Sequence, residues 1–109
     1  MIPRGVDIYL GTEPIDLRWG FDRLCGIVQE RIGRRPRSGA VFVFFSRRRQ
    51  AMKVFYYDGT GLCVFYKRLD KGTFRFPLSY DGSARTVVLT QRELEDLFAG
   101  LDLQLPTKH

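Results

Sequence analysis

The chain has 109 residues, of which 44% are hydrophobic and 14% aromatic. That fits one domain, residues 1–109, able to bury roughly two thirds of its unfolded surface, and it excludes a disordered chain. The net charge is +6, no apolar run approaches a membrane span, and the opening MIPRGVDIYLG lacks the apolar core of a signal peptide, so the expectation is a soluble, cytoplasmic, basic protein.

Residues 7–11, DIYLG, read as a short strand, and TEPID follows as a turn punctuated by Pro14. Across residues 21–32 the apolar Phe21, Leu24, Cys25, Val28 and Ile32 recur at three- and four-residue spacing. That is one stripe of an amphipathic helix, and Gly33 is its natural stop. RRPRSG then makes a basic loop. Residues 41–45, 52–57, 62–68 and 73–76 are rich in β-branched and aromatic side chains and read as strands. DGTG is a strong hairpin signal between two of them, LDKG a second turn, and SRRRQ a third. Residues 85–89 make a further strand. Thr90 with Glu93 matches a capping box, and Leu94, Leu97, Phe98 and Leu101 form a second helical stripe that Gly100 can end. LDLQLPTKH closes the chain as a tail, residues 102–109 forming its end. The expected fold is α+β: an antiparallel meander of about five to six strands with two amphipathic helices packed on one face. Its basic sheet core covers residues 38–77.

The distribution of charge says more than its total. From residue 31 to residue 75 there are twelve basic side chains against Asp58 and Asp70, a local charge of +10, while the two flanks together carry −4. A basic middle with acidic flanks favours a polyanionic partner. Three clusters stand out: Arg34, Arg35 and Arg37 in one loop; Arg47, Arg48 and Arg49 at a hairpin tip; and Lys67, Arg68, Lys71 and Arg75, with Lys53 on a strand between them. Arginine suits phosphate because its planar fork gives paired hydrogen bonds. These eleven residues are the candidate nucleic-acid contacts. The other reading is a protein-interaction module whose basic face docks on an acidic partner.

With a five-residue loop at SRRRQ and a four-residue loop at DGTG, alternation sorts the strand side chains onto two faces. Phe42, Phe44, Met52, Val54, Tyr56, Cys63 and Phe65 fall on a core face covered by both helices. Val41, Val43, Phe45, Lys53, Phe55, Tyr57, Leu62, Val64, Tyr66 and Arg68 fall on a mixed face. That face fits base stacking among cations, packing on the N-terminal segment, or a homodimer contact. A slip of one residue would exchange the faces.

Ser38 to Pro77, SGAVFVFFSRRRQAMKVFYYDGTGLCVFYKRLDKGTFRFP, resembles the central block of the TnpB (second open reading frame) accessory proteins of the insertion-sequence-66 family of bacterial transposons. The upstream IYLGTEPIDLRWGFDRLCGIVQ is similar to the opening of that family, and LTQRELEDLFAGLDL to its closing helix. The resemblance implies a role in transposition beside a separate, larger transposase, with DNA, the transposase and another transposon-encoded accessory protein as partners. Two positions depart from the pattern. The family usually carries lysine or arginine where this chain has Trp19, and a polar or basic residue is common in place of Phe45.

No catalytic constellation emerges. Asp58, Asp70 and Asp81 precede or lie near glycines, where aspartate serves turn geometry, and the single histidine is the terminal His109. Two cysteines and one histidine cannot complete a four-ligand zinc site in a monomer, and Cys25 and Cys63 read as buried thiols. Neither a nucleophile elbow nor a phosphate-binding glycine loop is present. The expectation is a non-enzymatic protein with no cofactor and no metal.

Overall fold

The run VFVFF has no polar side to show to water, so the strand it forms must be buried on both faces. In the computed structural model, which describes residues 4–77 and 80–100, that strand is the centre of the sheet. The elements in chain order are β1 (Ile8–Ile15), α1 (Phe21–Ile27) with a π-helical continuation (Val28–Ile32), β2 (Val41–Ser46), β3 (Ala51–Tyr57), β4 (Leu62–Arg68), β5 (Thr86–Val88) and α2 (Gln91–Phe98). The spatial order is β4-β3-β2-β1-β5.

The sheet is mixed, which corrects the expected meander. β1 and β2 run parallel, with Ile8 opposite Val41 and Gly11 opposite Phe44, while the other neighbouring pairs are antiparallel. The cause is α1, which carries the chain back along the sheet before β2 begins, the crossover a parallel pair needs. β1 is also longer than the DIYLG strand, because it continues through TEPI past an irregularity between Gly11 and Ile15. Residues 73–76 form no strand. That segment is tied to the β2–β3 hairpin by the Phe74 amide, which donates to the Arg49 carbonyl at 2.7 Å, and Phe74 itself is buried, stacked on Phe45.

The helices lie on opposite faces, a second correction. Val41, Val43, Phe45, Met52, Val54 and Tyr56 pack with Leu94 and Leu97 of α2. Phe42, Phe44 and Phe55 pack with Leu24, Ile27 and Val28 on the α1 side. The expected grouping of faces fails by one residue at one loop. Ser46 stays in β2, so the connection to β3 is four residues and Phe45 pairs with Met52. This puts the odd-numbered residues of β2 with Met52 and Val54 and moves Phe42 and Phe44 to the other layer. The mixed face therefore does not exist as an exposed surface: Val41, Val43, Phe45 and Phe55 are all buried. The DGTG pairing holds, with Tyr57 opposite Leu62. Cys25 and Cys63 are free thiols, half-buried rather than buried, in different layers.

The ends of the elements follow local chemistry. Gly33 terminates the first helix at φ 75° and its amide donates to the Val28 carbonyl. At α2 the Thr90 side chain accepts from the Glu93 amide at 3.1 Å, and the Glu93 carboxylate accepts from the Thr90 amide at 2.9 Å. Asp58 organises the DGTG turn: one carboxylate oxygen accepts from the amides of Thr60 and Gly61 and from the Thr60 hydroxyl, at 2.8 to 2.9 Å. Leu101 and the tail at residues 102–109 lie outside the described residues.

Two expected outcomes come from this packing. Gly11 faces the ring of Phe44, and an added Cβ would sit 2.7 Å from Phe44 Cε1. Gly11→Ala should therefore destabilise by about 1–3 kcal/mol in urea unfolding, since Phe44 is fully buried and has no room to retreat. The hydrogen bonds from Thr60 and Gly61 lower the Asp58 pKa from 3.8 to about 2. The unfolded state then takes up this proton before the folded state does, so Asp58 adds stability above pH 3.8 that is lost as pH falls through about 2. Asp58→Asn should show a shallower acid limb in a stability-versus-pH series; an unchanged limb would remove Asp58 as a contributor.

Candidate nucleic-acid interface

The β2–β3 turn carries the arginine triplet, and its backbone divides the three residues. The Arg49 amide donates to the Ser46 carbonyl at 2.8 Å, and Arg49 takes φ 56°, the left-handed conformation that closes the turn. Its guanidinium lies 5.1 Å from the Phe76 ring centroid. Arg49 is thus partly structural, whereas Arg47 and Arg48 project into solvent. The same turn gathers the third basic cluster. The Arg49 carbonyl accepts from the Phe74 amide and the Gln50 carbonyl from the Leu69 amide, which draws the segment after β4 across the hairpin tip. Arg68 pairs across the sheet with Ala51, and Lys71 and Arg75 follow on the same end; all three are exposed. One end of the sheet therefore presents Arg47, Arg48, Arg49, Arg68, Lys71 and Arg75, with Asp70 between them in the chain.

Two of the predicted contacts are committed to the fold. Lys53 donates its ammonium to the carbonyls of Leu17 (2.6 Å) and Trp19 (3.0 Å), and lies 5.9 Å from the Tyr66 ring centroid. It pins the β1–α1 connection onto the sheet. Lys67 donates to the Phe98 carbonyl at the C-terminal end of α2, where a cation meets the negative end of the helix dipole.

Beside the triplet lies a groove of about 470 Å³ lined by Pro14, Ile15, Asp16, Trp19, Arg31 and Arg47. Trp19 has the Arg23 guanidinium 4.7 Å and the Arg31 guanidinium 5.6 Å from its ring centroid. The departure at Trp19 thus leaves this corner basic, through neighbours. The charge on Asp16 is held by Arg18 at 2.7 Å, which lowers the Asp16 pKa to about 2. Arg23 and Trp19 were no part of the sequence-based set. The one available signal was Trp19 itself, and its two arginine partners come from the other end of the first helix as well as from its start.

Arg34, Arg35 and Arg37 do not join this cluster. They lie in the loop between the first helix and β2, at the opposite end of the strands. Arg34 is positioned by Tyr9, donating to its hydroxyl at 3.1 Å with the guanidinium 5.1 Å from the ring centroid, and the bond to Tyr9 raises the Arg34 pKa further. Arg34 and Tyr9 line a second groove, of about 320 Å³, with Asp7, Ser38, Gly39 and Ala40. Among the described residues, no group of three or more His, Cys, Asp or Glu side chains is arranged to hold a metal ion, and no helix is long and apolar enough to cross a membrane.

Lys53→Met should cost about 1.5–3 kcal/mol, because it removes a charge-assisted pair of hydrogen bonds and leaves two partly buried carbonyls without them. Urea unfolding measures this. A loss under about 0.5 kcal/mol would make Lys53 an ordinary surface cation instead.

Known proteins similar to this chain match nearly all of it. Two proteins of Sinorhizobium fredii (strain NBRC 101917 / NGR234) are similar to it along most of their length, both known only as uncharacterized proteins. One, y4hO, is 38% identical over 108 residues, covering 97% of this chain and 91% of the relative. The other, y4jC, is 34% identical over 99 residues, covering 91% of this chain and 82% of the relative. No solved structure matches the chain. The family model described as IS66 Orf2 like protein matches residues 6–108, nearly the whole sequence, and the chain belongs to that family.

Proposed function

We propose that this protein is a non-catalytic accessory factor of transposition that binds the DNA ends of its element and assists a separate transposase. Membership of the IS66 Orf2 like family supports the transposition role. The observation that supports DNA as the ligand is the convergence of Arg47, Arg48, Arg68, Lys71 and Arg75 on one end of the sheet by two main-chain hydrogen bonds, from Phe74 and Leu69 to the hairpin tip. Exposed guanidinium groups at a rigid tip meet phosphate oxygens with paired hydrogen bonds and small entropic cost. Of the aromatic side chains expected on the mixed face, Phe45 and Phe55 are buried in the core, so the reading rests on phosphate contacts rather than on bases.

The test is a gel shift with an element end, a random duplex of equal length and the matching single strand, at two salt concentrations. If about six phosphates are neutralised, affinity should fall roughly a thousandfold between 50 and 200 mM salt. The doubly substituted Arg47→Ala/Arg48→Ala protein should keep its melting temperature and lower the salt slope by about two contacts. Flat affinity across that range would overturn the proposal. A transposase complex that survives nuclease treatment and is lost in the same variant would assign the basic tip to protein docking instead.

A further inference from the structure

Two clusters of exposed basic side chains lie at opposite ends of the sheet, and the surfaces between the ends carry paired charges, carboxylates and aromatic side chains. β2 joins the two clusters directly, with Arg37 before its first residue and Arg47 after its last. Six residues of extended chain separate them by roughly 20 Å. At one end stand Arg47, Arg48, Arg68, Lys71 and Arg75; at the other, Arg34, Arg35 and Arg37, all exposed. Arg34 is held in place there by Tyr9, which in turn stacks on Phe42 in the core.

A single straight duplex touching both clusters would have to lie along one of the side walls. On the α2 wall, Glu95 and Asp96 are paired with Arg4 and Arg92, and Glu93 closes the capping box, so among the described residues both arginines there are already in ion pairs. The α1 wall exposes Asp22, Gln29 and Glu30, and its cations are engaged within the fold: Arg23 lies over the Trp19 ring, and Arg31 lies over the same ring and pairs with Glu13. The β4 edge exposes Phe65 and Tyr66, 42% and 46% accessible, large aromatic side chains that carry no charge to neutralise a phosphate. Polyanion lying on any of these walls meets carboxylates or apolar surface, and like charges repel.

We propose that the molecule is two-ended: the end carrying Arg34, Arg35 and Arg37 is a second, independent phosphate-binding site, so that one protein molecule holds two separate DNA segments together. This rests on the DNA-binding reading above and extends it from binding to bridging.

Bridging is read directly. A biotinylated 30-base-pair duplex is fixed on beads, loaded with full-length protein, washed, and offered a second, fluorescent duplex. The wild-type protein should retain the second duplex. Arg34→Ala/Arg35→Ala/Arg37→Ala should still bind the first duplex, with a smaller salt slope, and lose at least tenfold of the captured second duplex. Arg35→Ala/Arg37→Ala, which leaves the Arg34–Tyr9 contact intact, should lose capture in part; this separates a charge effect from a folding effect. Sedimentation of the same samples gives the mass of the free protein. Wild-type protein that binds the first duplex and captures none of the second would overturn bridging and leave DNA binding standing. Undiminished capture by the triple variant would overturn it too, because the bridging would then come from protein self-association. No binding to the first duplex at all would remove both proposals.

Discussion

The strand Val41–Ser46 is the constraint on which this molecule depends. Its first five side chains are buried, three toward one layer and two toward the other. Burying a large apolar side chain is worth about 1.5–3 kcal/mol, so neither face of the strand can be left to water. A sheet covered by helices on one side only would expose either Val41, Val43 and Phe45 or Phe42 and Phe44. The chain meets that demand by placing the first helix between β1 and β2 on one side and α2 after β5 on the other. The parallel β1–β2 pair, the three-layer arrangement and the central position of β2 are consequences of the same requirement.

The basic end of the sheet depends on a smaller device. Arg49 takes the left-handed conformation at the tip, and the carbonyls of Arg49 and Gln50 then face the chain segment that follows β4. Those two acceptors hold Leu69 and Phe74, and Phe74 fills the space beside Phe45. Order in the tip is therefore coupled to the core. The exposed cations Arg47 and Arg48 stand on a support that packing has made stiff, and stiffness lowers the entropic cost of binding a rigid polyanion. Lys53 and Lys67 show the opposite use of a cation. Each satisfies main-chain carbonyls at a junction, one where the chain enters the first helix and one where it leaves α2.

Much of the secondary structure was legible in the residues. Apolar spacing at three and four located the first helix, Gly33 marked its end, the capping box marked the start of α2, and DGTG set the β3–β4 register. Each of these is a local signal, in which the deciding groups lie within about four residues of one another. SRRRQ was different. It contains no glycine to mark the residue with positive φ, so its length as a loop was ambiguous by one, and alternation turned that single residue into an exchange of faces. Residues 73–76 have a strand's composition but no strand's neighbours. Their aromatic side chains serve the core from a loop.

The sequence by itself determined the distribution of charge along the chain and the pieces of the fold. A local charge of +10 between residues 31 and 75 is a property of composition, and helical spacing, turn glycines and caps act over a few residues. Only the tertiary structure decided which arginines stand together. Arg37 and Arg47 are ten residues apart and belong to one basic block in the chain, yet β2 carries them to opposite ends of the domain. Arg47 and Arg75 are far apart in the chain and share an end, because the main chain at Arg49 and Gln50 hydrogen-bonds across to the segment between them. Charge adjacency on a surface is set by strand direction and long-range hydrogen bonds, and neither is written in the order of the residues.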